Sequence, residues 1–154
     1  MNLLNIFSKK RLNYFTKEEE ERMVEAIRFA EKQTSGEIRL FIENKCKFIN
    51  PVDRAIEVFK ELKMYNTKDR NGVIIYIAMK DRQLALYGDE EIHKRLGQEF
   101  WLAEVKKMID EFHGQHYMEG IVKIITDTGE ALKKHFPYER DDNNELEDGI
   151  VFGK

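Results

Sequence analysis

At 154 residues the chain is sized for one domain around a single core. A hydrophobic content of 42% and a charged content of 36% describe a charged globular protein and exclude long disordered tracts. The net charge of −3 argues against a nucleic-acid binder, the lone Cys46 rules out an internal disulfide, and no apolar run approaches the roughly 18 residues of a membrane span.

Residues 1–14 form an N-terminal segment in which Leu3, Leu4, Ile6 and Phe7 precede Lys9, Lys10 and Arg11, the reverse of a secretory signal. Three readings stay open for it: a frayed end, a strip packing on its own domain, or a short amphipathic stretch touching a membrane. Together with the unpaired Cys46, the absence of a signal points to the cytoplasm.

Thr16 and Glu19 form a capping box, which predicts a helix from Lys17 carrying Met23, Ala26, Ile27 and Ala30 on one face and stopping before Ser35-Gly36. EIRLFIE then alternates Ile38, Leu40 and Ile42 with Glu37, Arg39, Phe41 and Glu43, as a strand with one buried and one mixed face does. Asn50-Pro51 supplies an N-cap and first helical residue for a helix through Ala55, Ile56, Phe59 and Leu62. Val73 to Met79 is apolar throughout, the pattern of a central strand covered on both faces. Lys80-Asp81-Arg82 turns the chain, and Gln83–Tyr87 returns antiparallel.

Asp89 then caps a short helix to Leu96, ended by Gly97. Trp101, Val105, Met108 and Phe112 mark a helix that stops at Gly114, with Phe100 assigned to the core beside them. Met118, Ile121, Ile125, Thr128 and Leu132 mark a last long helix closing at Phe136-Pro137. From Tyr138 the chain is acidic and polar, with a small apolar patch at Ile150-Val151-Phe152. The expected division is an N-terminal segment (1–14), an α/β domain (15–137) and an acidic tail packing across it (138–154).

The strand–helix–strand crossover implies parallel pairing, and the hairpin adds an antiparallel strand. The fold class is α/β: a Rossmann-like three-layer sandwich with a small mixed sheet and helices on both faces. A hairpin centred on Asp81 sets Val73 opposite Asp89 and Ile75 opposite Tyr87. It brings Arg70, Asn71 and Gly72 to the same end as Gly88, Asp89 and Glu90, and the parallel first strand adds Glu37 and Arg39. This rim is expected at the surface, with glycines admitting a ligand close to the backbone. Glu37, Asp89 and Glu90 offer hard oxygens suited to calcium or magnesium. The second choice is the opposite end, where Asp81 and Arg82 sit beyond the carboxyl ends of the parallel strands.

TSGEIRLFIE, RNGVIIYIAMKDRQLALYGDEEI, HYMEGIVKIITDTGEALKKHFP and NELEDGIVFG together resemble the TPM domain, named for a thylakoid lumen protein, a photosystem II repair protein and an acetylcholine-receptor modulator. The resemblance runs from Phe15 to Gly153 and is most specific at Ser35-Gly36-Glu37, Asn71-Gly72-Val73, Asp81-Arg82 and Gly88-Asp89. It implies a Rossmann-like α/β sandwich and, through plant members, an acid phosphatase with bound calcium. The chain departs from that pattern twice. It lacks the signal and membrane helix of many members, and Gly88-Asp89-Glu90 replaces the usual Gly-x-Gly-acidic sequence.

Known hydrolytic signatures are missing. No arginine follows Cys46 at the spacing of a Cys-x5-Arg loop, no Asp-x-Asp follows an apolar strand, and no Gly-x4-Gly-Lys loop occurs. His113 and His116 have a zinc-like spacing, but Gly114 interrupts the helix between them. Asp127-Thr128-Gly129 falls inside a helical pattern, and Asp141, Asn143 and Glu145 start a calcium loop that Leu146 spoils in place of glycine. The expectation is a cytosolic TPM-type module without catalysis, binding a small anionic ligand, a metal or a partner protein at the rim. The alternative is a slow metal-dependent acid phosphatase on the same rim. Neither nucleic acid nor integral membrane association is expected.

Overall fold

The computed structural model describes residues 15–114, 117–139 and 149–153. The N-terminal segment 1–14, His116 and the run Asp141–Leu146 lie outside the described residues. The elements are α1 (Lys17–Glu31), β1 (Glu37–Glu43), α2 (Pro51–Glu61), β2 (Gly72–Ala78), β3 (Gln83–Gly88), α3 (Glu90–Leu96), α4 (Gln98–His113), α5 (Tyr117–His135) and β4 (Ile150–Phe152).

The helix starts are those the capping chemistry dictates. Thr16 Oγ1 accepts from the Glu19 N–H, while Glu19 Oε1 accepts from the Thr16 N–H. Asn50 Oδ1 accepts from Val52, with Pro51 in the first turn. Gly97 takes φ +84 between α3 and α4, a left-handed conformation that glycine adopts without strain.

The sheet order is β3-β2-β1-β4. β1 pairs parallel with β2 and with β4, and β2 pairs antiparallel with β3. All seven residues of β2 are buried, as expected of an interior strand. One sheet face presents Ile38, Leu40, Ile42, Val73, Ile75 and Ile77 to α1, α3, α4 and α5, around the buried Trp101. The other face presents Phe41, Ile74, Tyr76 and Ala85 to Ala55, Val58 and Phe59 of α2. Each buried Ile, Leu or Phe side chain contributes roughly 1.5–3 kcal/mol of transfer free energy, so these two clusters dominate stability.

Four expectations are corrected. The hairpin register is one residue shorter: Val73 faces Gly88 and Ile75 faces Leu86, because the loop spans four residues, Met79 to Arg82, with Arg82 at φ +51. The slip puts Leu84 and Leu86 on the face of Ile75 and Ile77, and so into the main core. β1 is buried on both faces, including Glu37, Arg39 and Glu43. The apolar patch of the tail is a fourth strand: Ile150, Val151 and Phe152 pair with Leu40, Phe41 and Ile42. Finally, Phe100 is about half exposed and lies edge-on to His135, outside the core that Trp101 and Phe112 join.

Asp127-Thr128-Gly129 lies within α5, where a Cβ on Gly129 would come 2.7 Å from the Ala30 Cβ. Gly129 serves the close approach of α1 and α5, while Asp127 pairs with Lys123 and Thr128 contacts Met108.

Candidate functional site

The rim forms where three segments meet at the amino ends of β1 and β2. Pairing continues past the end of β2: Asp89 N–H donates to Gly72 O (2.9 Å), and Glu91 N–H donates to Arg70 O (3.2 Å). These bonds hold the 70–72 and 88–91 segments together despite the one-residue slip. Ser35 joins from the start of β1, its Oγ accepting from Asn71 Nδ2 (3.2 Å).

Arg70 and Asp89 form a two-pronged ion pair, Nε to Oδ2 at 2.8 Å and Nη2 to Oδ1 at 2.9 Å. Asp89 Oδ1 also accepts from Glu90 N–H (2.8 Å), capping α3, and Glu90 adds a looser contact to Arg70 Nη1 at 3.4 Å. The hydrogen bond to Asp89 raises the Arg70 pKa further above its ordinary value. Arg70 holds φ +50, a left-handed backbone unusual for a side-chain-bearing residue.

Glu37, Arg39, Asn71 and Asp89 are buried, not at the surface as the sequence suggested. Asn71 Oδ1 has no hydrogen-bond partner among the described residues. An unmatched buried polar group costs about 1–3 kcal/mol, which gives this atom a standing demand for a partner.

The glycines do something other than admit a ligand. A Cβ at Gly36 would come 2.9 Å from Leu132 Cδ1, one at Gly72 would come 3.2 Å from Met64 O, and one at Gly88 would come 2.9 Å from Ile92 Cγ2. They let α5, the loop after α2 and α3 close onto the strands.

A closed calcium or magnesium site does not fit this donor set. Calcium takes six or more oxygens at about 2.3–2.6 Å, whereas both Asp89 oxygens are committed to Arg70. Among the described residues no group of three or more His, Cys, Asp or Glu is placed to hold a metal ion.

The second end of the sheet holds a cluster that sequence reasoning missed. Glu43, at the end of β1, accepts from Arg54 Nε (2.9 Å) and Nη2 (3.1 Å) and from the Tyr76 hydroxyl. Arg54 lies over the Phe41 ring at 5.4 Å and also binds Glu57. The Glu43 hydrogen bond raises the Arg54 pKa, while burial, then Glu43 and Cys46, raise that of Tyr76. The one available signal was a carboxylate ending β1 directly after the apolar run Leu40-Phe41-Ile42. Its partners sit on two other elements and have no spacing to betray them. The second-choice residues have structural contacts here: Asp81 Oδ2 accepts from Cys46 N–H (2.7 Å), and Arg82 lies 5.3 Å over the Tyr117 ring.

Among the described residues no helix is long and apolar enough to cross a membrane. The family model of the TPM domain matches residues 9–131. The chain is similar to the BA42 protein of the psychrophilic bacterium Bizionia argentinensis, solved by NMR, with 42% identity over 91% of this chain and 96% of that one, at a TM-score of 0.81. It shares its fold with the N-terminal domain of a protein from P. gingivalis, at 14% identity and a TM-score of 0.64 over 82% and 83% of the two chains. No curated protein matches it. With the family model covering most of its length and the Rossmann-like sheet in place, the chain belongs to the TPM-domain family.

Proposed function

We propose that this protein is a binding or accessory module without catalysis, which takes a small polar ligand at the rim formed by Ser35, Arg70, Asn71 and Asp89. The observation that carries the proposal is the Asn71 amide, fully buried at the meeting point of three segments and left with one unmatched end. A ligand that supplies a hydrogen-bond donor satisfies it. Arg70 is the cation of the rim that reaches solvent, at 39% exposure, and so is the first group an anionic ligand meets.

The alternative, a slow metal-dependent acid phosphatase, requires a carboxylate free to ligate the metal or to activate water. Asp89 at one end and Glu43 at the other are each clamped by an arginine, which speaks for binding over hydrolysis.

Titration with inorganic phosphate, and separately with calcium and magnesium, tests this reading through the backbone amides. Phosphate is expected to shift residues 35–37, 70–72 and 88–91 together, and Asn71→Ala to abolish the response with the remaining spectrum intact. Silence of those amides toward all three probes rejects the rim. Turnover of a phosphate monoester that disappears in Asn71→Ala establishes the hydrolase in place of the module.

A further inference from the structure

At the carboxyl end of the parallel strands, exposed aliphatic residues and exposed lysines share one pair of loops. Two loops meet there, joined by Lys80 N–H to Asn44 O (2.7 Å) and Cys46 N–H to Asp81 Oδ2 (2.7 Å). Asn50 caps α2 immediately behind them, so the tip is held in place from both sides. At this tip Ile49 is fully exposed and Val52 is substantially exposed. On the same two joined loops Lys45, Lys47 and Lys80 are exposed. None of these three lysines forms an ion pair with a carboxylate among the described residues. Against them stand two exposed carboxylates, Asp53 and Asp81, so the local balance is positive in a chain whose net charge is −3.

We infer that this tip docks on an anionic lipid surface, with Ile49 and Val52 entering the headgroup layer and Lys45, Lys47 and Lys80 meeting lipid phosphates. An aliphatic side chain in full contact with water, on loops that carry exposed lysines, matches a medium that is apolar within and negative at its boundary. Nucleic acid fits less well, because the apolar groups on show are aliphatic and offer no ring for base stacking. An acidic protein fits less well too. A stable interface buries about 800 Å² on each partner, and the large apolar residues exposed at this tip are Ile49 and Val52 alone. A bilayer is laterally continuous and accepts a narrow, convex tip. The surface lies at the end of the sheet opposite the rim, so it is independent of the ligand proposed there.

Sedimentation of the full chain with vesicles tests the inference. Binding is expected to phosphatidylcholine vesicles containing phosphatidylglycerol, absent with pure phosphatidylcholine, and weakened by added salt. Lys45→Ala with Lys47→Ala should reduce binding roughly thirtyfold, and Ile49→Ala roughly fivefold. Because Trp101 is buried and is the protein's only tryptophan, Ile49→Trp adds a local reporter. Its emission should shift blue on binding and be quenched by lipids carrying a shallow nitroxide, while the unsubstituted protein shows neither effect. Three results overturn the inference: no vesicle binding, binding indifferent to both sets of substitutions, or retention on an acidic polymer without vesicle binding. The substituted positions are exposed, and an unchanged amide spectrum confirms that each variant is folded.

Discussion

The two ends of the sheet use the same device in different surroundings. At each, a buried carboxylate is held by both prongs of an arginine from a neighbouring segment: Asp89 by Arg70 at the amino ends of β1 and β2, Glu43 by Arg54 at the carboxyl ends. The arginines differ in exposure, 39% for Arg70 against 17% for Arg54. They also differ in company. Asp89 shares its charge with a helix N-terminus, whereas Glu43 shares its charge with a buried phenol and an arginine stacked on Phe41. Water can replace much of what Asp89 gives Arg70. It cannot reach Tyr76 to replace Glu43. The same ion pair is therefore a local fastening at one end and a structural dependency at the other.

Removing the dependency should have the largest effect. Glu43→Ala leaves the buried Tyr76 hydroxyl without its acceptor and Arg54 with only the more exposed Glu57 and Glu61, at a cost of about 3 kcal/mol. That is a large share of the roughly 5–15 kcal/mol that stabilises a domain of this kind, so the variant should unfold at markedly lower temperature or urea concentration. A loss no greater than that of an exposed ion pair would show that the two ends are equivalent.

Tyr76→Phe removes one bond of the cluster and leaves the Glu43–Arg54 pair. A hydrogen bond to a charged group contributes about 1.5–3 kcal/mol, which is the expected loss near neutral pH. The pH dependence identifies its source. The folded protein raises the Tyr76 pKa above its ordinary 10.0, so above that pH the unfolded chain gives up a proton that the native state keeps. The contribution is complete below pH 10 and is lost as pH rises beyond it. Alkaline destabilisation measured by urea unfolding should therefore be shallower in Tyr76→Phe. Identical alkaline slopes would remove the phenol from the account.

Which of these features were legible in the sequence follows from how each is encoded. Helix starts are local: Thr16 with Glu19, and Asn50 with Pro51, lie within one turn, and each cap forms as its spacing predicts. The interior position of β2 was legible because both its faces are apolar. β4 was not, since three residues are too few to display a period and its partner is a distant strand. The hairpin register failed by one residue because the conformation of Arg82, not symmetry about Asp81, decides where pairing resumes. The convergence at the rim survived that error, since backbone bonds from Asp89 and Glu91 extend past the strand ends. The Glu43 cluster was illegible for a deeper reason. Glu43, Arg54 and Tyr76 come from three elements, and only the folded sheet and α2 bring them together.

The smallest effect separates the two duties of Asp89. Its Oδ1 accepts from the Glu90 N–H at the start of α3, and the whole carboxylate faces Arg70. Asp89→Asn keeps an acceptor for the helix and removes the charge, whereas Asp89→Ala removes both. Asparagine caps helices about as well as aspartate, so the difference between the two variants isolates the cap, worth about 1 kcal/mol. The charge effect appears in the comparison of Asn with the unsubstituted protein. Because Arg70 reaches solvent, that part should shrink as salt is raised, while the Ala–Asn difference should not. Denaturant unfolding at low and high ionic strength measures both. If Asp89→Asn proves as damaging as Glu43→Ala and indifferent to salt, then Arg70 depends on its partner as Arg54 does. The rim would then be a rigid structural joint with no give for an incoming ligand.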